Sequence, residues 1–114
     1  MSRDPLLFLE DIVEACDTIS AYLDGVEYES LLGDSMRLDA VVRNLEIVGE
    51  AAGRVPGDVR EGIPDVPWSQ IIAMRNMLIH AYFGVDPEVV WSVCSERIGP
   101  LAASVRRYLG ERKG

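Results

Sequence analysis

Apolar residues recur at three- and four-residue steps along most of the chain, the repeat of helices that each bury one side. Leu6, Leu9, Val13, Cys16, Ile19 and Leu23 form the first stripe. Asp4-Pro5 opens it, because a carboxylate accepts from a first-turn N–H and proline leaves no N–H unsatisfied there, and Gly25 closes it. After the connecting stretch VEYESLLGD, Ser35 is placed to cap a second helix. Its apolar face is Leu38, Val41, Val42, Leu45, Val48 and Ala52, and it ends by Pro56-Gly57. Residues 57–67 are rich in Pro and Gly and predict a connection with at most one short helical turn. Pro67 then opens a third helix over about 68–83, with Gly84 as a left-handed terminator. Asp86-Pro87 repeats the first start signal, and a stripe from Val89 to Leu109 predicts a fourth helix. Gly99-Pro100 should kink or break it, since proline removes a backbone bond and crowds the preceding turn. The tail from Gly110 is expected to fray.

No segment alternates like a strand and no repeat is visible, so the predicted fold is all-α. It is an antiparallel bundle of four long helices joined by short turns. At 114 residues the chain is sized for one domain, 1–114, around one core. The 48% apolar and 26% charged composition is that of a folded globular protein rather than a disordered one. No apolar run approaches the roughly 20 residues of a membrane span. Acids thread the apolar N-terminal stretch and no cleavage pattern follows, so a secretory signal is not expected and the cytoplasm is. Cys16 and Cys94 lack the spacing of a zinc site or a disulfide framework and read as reduced core thiols.

The net charge of −8 lies wholly in residues 1–57, which hold twelve acids and four bases; residues 58–114 hold seven of each. That balance argues against nonspecific binding of nucleic acid but leaves room for a small anion site. Between Asp65 and Asp86 there is no acid, and inside that window lies MRNMLIHAYFG, residues 74–84, with the only His of the protein. With Arg75 at zero on a helical wheel, Asn76 falls at about 100° and His80 at about 140°. Met74, Met77, Leu78 and Ala81 cluster at about 200–300° as a core stripe, while Ile72, Ile79 and Phe83 at about 40–80° frame the polar trio. A polar cluster framed by exposed apolar residues predicts an interface, and a twofold dimer through this helix is the simplest form. It would bring two Arg75 and two His80 to one cleft. An arginine that never deprotonates beside an imidazole that exchanges protons near neutrality suits phosphate chemistry. Each residue alone also fits a structural role: Arg75 paired with an acid of an earlier helix, His80 or Asn76 hydrogen-bonded locally, and Tyr82 filling the core edge.

The run RNMLIHAY, residues 75–82, reads R-x4-H-x-Y and resembles the signature of the HepT-like toxins of the HEPN superfamily. RLDAVVRNLEIVGEAA at 37–52, VPWSQIIAMRNMLIHAYFGVD at 66–86 and the following VVW are also similar to that family. The resemblance implies a HEPN-like bundle dimerising through the motif helix. It implies a metal-independent endoribonuclease without cofactors, acting as the toxin of a toxin–antitoxin module. The antitoxin implied is a MntA-like nucleotidyltransferase that silences the toxin by transferring AMP to the motif tyrosine, here Tyr82.

These residue types suit such chemistry. RNA carries its own nucleophile, the 2′-hydroxyl. His80 could exchange the protons, two copies dividing the roles of base and acid, while Arg75 holds the phosphate and Asn76, one turn before His80, orients it. Glu46 and Glu50 lie one turn apart at a metal-ligand spacing, but no matching carboxylate or His pattern faces them. Glu50 instead falls in the family-like stretch and is a candidate hydrogen-bonding residue near the cleft. Arg106, Arg107, Arg112 and Lys113 near the C-terminus are a candidate basic track for RNA, with a solvated tail as the alternative reading. The competing reading is a non-catalytic, dimeric nucleotide- or partner-binding module, which the acidic composition favours.

Overall fold

The computed structural model describes residues 3–80 and 84–113. It shows α1 (Pro5–Leu23), α2 (Tyr28–Leu32), α3 (Ser35–Arg54), α4 (Gly57–Glu61), α5 (Trp68–Ile79), α6 (Pro87–Glu96) and α7 (Ile98–Lys113), with no strand among the described residues. The all-α expectation holds. None of these helices is long and apolar enough to cross a membrane.

Both Asp-Pro starts form as expected. Asp4 accepts from the Leu6 N–H and Asp86 from the Glu88 N–H, each at 2.9 Å, with proline in the first turn behind them. The cap of α3 differs from expectation: Asp34, not Ser35, accepts from the Arg37 N–H at 3.1 Å, and Ser35 is already helical. Asp and Ser are equally good caps, so adjacency hid the choice. That backbone hydrogen bond is the main reason the Asp34 carboxyl lies below the usual carboxylate range. Gly25 (φ 71°) and Gly84 (φ 101°) occupy the left-handed region where a side chain would strain the backbone.

Three boundaries move. The stretch VEYESLLGD contains the one-turn helix α2, which buries Leu31. The expected fourth helix is two, broken at Arg97, three residues before Pro100, where the ring would crowd the preceding turn. The described part of the tail is helical: α7 runs through Lys113, with Tyr108 and Leu109 buried and Arg112 4.3 Å above the Tyr108 ring.

One contiguous core joins Leu9, Ile12, Cys16 and Ile19 of α1 with Val41, Leu45 and Val48 of α3 and Ile98, Leu101 and Val105 of α7. Each large aliphatic side chain so removed from water contributes about 1.5–3 kcal/mol. Helix α3 is the centre, packing against α1 on one side and α5 on the other, while α7 covers α1 and α6. The 57–67 connection joins the core through Val59, Ile63 and Val66. The Trp68 Nε1–H donates to the carbonyls of Arg60 and Ile63, fixing where α5 begins. Cys16 is buried and Cys94 half-buried, both free, and burial pushes both thiols up to about 12.

Candidate functional site

Helix α5 is a thin element whose main packing partner is α3. The contact is closest where Gly49 meets Arg75: a β-carbon on Gly49 would lie 2.1 Å from the Arg75 Cβ. With no side chain at Gly49, the two backbones approach and the stem of Arg75 lies against α3, its side chain 31% exposed. The motif arginine therefore faces the bundle. The side of α5 that packs inward carries Trp68, Ile71, Ile72, Met74 and Leu78 beside it.

This rotates α5 relative to the wheel expectation. Ile72, expected on the outer side, packs against the core, and Met77, expected inside, is 52% exposed. Asn76 and His80 do face outward, with Met77 and Ile79 exposed beside them. The apolar-framed outer surface thus persists with Met77 in place of Ile72.

The described part of α5 ends at Ile79, with His80 as its C-cap at φ −106° and ψ 17°, and the expected end near residue 83 lies outside the described residues. His80 lies five residues beyond Arg75, about 7.5 Å of helix rise. Ala81, Tyr82 and Phe83 lie outside the described residues, and with them the expected modification site Tyr82.

The acid-free window around the motif is acid-free only in sequence. Glu50, next to Gly49 on α3, brings its Oε2 to 4.0 Å from the Arg75 guanidinium. Arg75 also donates to the Asn76 Oδ1 at 3.3 Å. The structure therefore gathers Glu50, Arg75 and Asn76 at one point of the α3–α5 seam, with His80 at the end of the same helix. Arg54, outside the sequence candidates, joins them: its guanidinium is 3.7 Å from the Glu50 Oε1. The i,i+4 spacing of Glu50 and Arg54 was the available signal.

Two other candidates lie elsewhere. Glu46 pairs with Arg43 at 3.6 Å, and among the described residues no group of three or more His, Cys, Asp or Glu gathers in metal-binding geometry. Of the proposed basic track, Arg106 pairs with Asp17 and Arg107 with Asp65, the latter at 2.8 Å, so the charges of both are offset. A cleft of about 590 Å³ between α5 and the α6–α7 elbow is floored by Val48, Ile71, Met74 and Leu101, and none of Glu50, Arg75, Asn76 and His80 lines it.

The ribonuclease HepT-like family profile matches residues 12–108. The chain belongs to that family. It is 42% identical over 101 residues to a protein of Thermococcus cleftensis named "probable ribonuclease HepT", covering 89% of this chain and 92% of the relative. It is 36% identical over 103 residues to a "putative RNase" of Methanocaldococcus jannaschii, covering 90% and 94%. A third relative, a "putative RNase" of Caldanaerobacter subterraneus subsp. tengcongensis, is 35% identical over 111 residues, 97% of this chain and 99% of its own. No solved structure gives a significant match. A HepT-like chain is thus a ribonuclease at the level of its family, and RNA is the substrate class that family membership supports.

Proposed function

We propose that this HepT-like chain is a metal-independent endoribonuclease, one domain over residues 1–114, acting as the toxin of a toxin–antitoxin module in the cytoplasm. The observation that carries the reading is the placement of Arg75. It is locked against Gly49 at the α3–α5 seam, with Asn76 beside it and His80 at the exposed end of the same helix. A guanidinium whose stem is so anchored has little freedom left to lose on binding, and its fork matches a phosphate.

In the proposed reaction the phosphodiester lies against Arg75, which offsets the charge that builds on the phosphoryl oxygens. One His80 takes the proton from the 2′-hydroxyl. The 2′-oxygen then bonds to phosphorus, and the bond to the 5′-oxygen breaks. The leaving oxygen receives its proton from the His80 of a second copy. A 2′,3′-cyclic phosphate and a 5′-hydroxyl remain. The outer surface of α5, where Asn76 and His80 stand beside exposed Met77 and Ile79, supports a homodimer across this helix.

A MntA-like nucleotidyltransferase antitoxin would silence the enzyme by transferring AMP to Tyr82, two residues beyond His80, adding bulk and a negative phosphate beside the anion site. Loss of silencing in Tyr82→Phe is the outcome expected of that assignment; full silencing would remove it. The chemistry is tested by mapping product ends: cyclic phosphate and 5′-hydroxyl are expected, whereas 5′-phosphate ends would overturn it. The offset charges of Arg106 and Arg107 favour one other reading, a non-catalytic dimeric nucleotide- or partner-binding module. A folded, dimeric, unmodified protein that cleaves no RNA would decide for it.

A further inference from the structure

Two arginines flank one carboxylate at the seam of α3 and α5. Glu50 presents Oε1 to Arg54 at 3.7 Å and Oε2 to Arg75 at 4.0 Å. Charge-assisted hydrogen bonds of this kind close to about 2.7–2.9 Å, so neither guanidinium is bonded to the carboxylate. The cluster is two cations around one anion, and both guanidiniums reach solvent, Arg54 the more.

The positions of both arginines are set by packing. Arg75 is fixed by its stem on Gly49. Arg54 is the last residue of α3, and that end is held by Arg60, whose guanidinium donates to the carbonyls of Ala52 and Gly53 at 3.1 and 3.2 Å. The Arg54 side chain is 63% exposed, twice the exposure of Arg75, so it can move onto a ligand that Arg75 already holds. The paired basic residues of α7 offer no comparable excess of positive charge.

We propose that Arg54 is a second phosphate-binding residue, forming with Arg75 a two-arginine clamp on the RNA backbone. Glu50 lies between the two guanidiniums until a phosphate binds both of them. The inference rests on the ribonuclease reading and names how that site grips its substrate. A merely structural Arg54 would be a cation favourably placed at a helix C-terminus, touching stability but not the ionic character of RNA binding.

The test uses His80→Ala protein, in which binding is read without cleavage, and a short single-stranded RNA. Its dissociation constant is measured across a salt series with and without Arg54→Gln, and with Arg43→Gln as a control for an exposed α3 arginine paired with a glutamate. Arg54→Gln is expected to weaken binding roughly tenfold and to flatten the log–log salt slope by about 0.7, the signature of one lost contact to a single strand. Arg43→Gln should change neither. An Arg54→Gln protein with the affinity and slope of its parent overturns the clamp, as does a parent that binds no RNA at low salt. The ribonuclease reading is judged separately, by cleavage with His80 intact, so the two failures are told apart.

Discussion

The α-carbons of Gly49 and Arg75 are neighbours because Gly49 has no side chain: a methyl group there would lie 2.1 Å from the Arg75 Cβ and 2.8 Å from its Cγ. Gly49→Ala must therefore push α5 from α3. Alanine normally favours a helix by about 1 kcal/mol over glycine, but overpacking of this kind costs about 1–3 kcal/mol. Urea denaturation should show a net loss of stability, and RNA cleavage should fall with the displacement of Arg75. Gly53→Ala is the internal control. It lies in the same helix with nothing within 4 Å of the added carbon, and should stabilise by about 0.5–1 kcal/mol without affecting cleavage.

The start of α3 makes a second prediction. Asp34 accepts the Arg37 N–H, and Ser35 does not serve as cap. Asp34→Ala should lower the melting temperature, Asp34→Asn should retain most of the cap, and Ser35→Ala should be silent. Because the Asp34 carboxyl is held below its unfolded value, its contribution is present at neutral pH and is lost as pH falls through its folded value. The parent should lose more stability on acidification than Asp34→Asn.

Much of this was legible in the chain. Asp4-Pro5 and Asp86-Pro87 mark helix starts because their signals are local, and the stripes of α1, α3 and α7 mark the core because burial follows the helical repeat. The rotation of α5 was not legible. It depends on the contact of Gly49 with Arg75, twenty-six positions apart, whereas the helical repeat of α5 alone puts Met77 inside and Ile72 outside. The same distance hid the Glu50–Arg75 pair, since a search for acids within the motif window does not reach α3. Helix α2, at five residues, is too short to show a period.

Both cysteines behave as packing residues. Burial pushes Cys16 and Cys94 up to about 12 from an ordinary 9.0, with the charge of Asp17 adding to the effect at Cys16. Native protein at pH 8 should react with a thiol reagent far more slowly than urea-unfolded protein. The sign of the pH effect follows: above pH 9 the unfolded chain releases thiol protons that the folded chain retains, so stability should fall between pH 9 and 12. That fall should be smaller in Cys16→Ala. Rapid labelling of both thiols in the folded state would contradict this packing.

The arginines of α7 should matter little to RNA. Arg106 and Arg107 are matched by Asp17 and Asp65 in exposed pairs, which contribute about 0–1 kcal/mol each. Substituting both with Gln should leave the salt dependence of RNA binding unchanged, measured as for the Arg54 variant. Deleting the segment would confuse the result, because Tyr108 and Leu109 belong to the core.

The central claim is that Arg75 and His80 cleave RNA without a metal. Purified protein, unmodified on Tyr82, is incubated with total RNA in excess chelator beside Arg75→Ala and His80→Ala proteins shown to be folded. The account predicts cleavage that survives the chelator and falls at least about 100-fold in each variant. Cleavage that stops with chelator and returns with added metal, or that persists in His80→Ala, would contradict it.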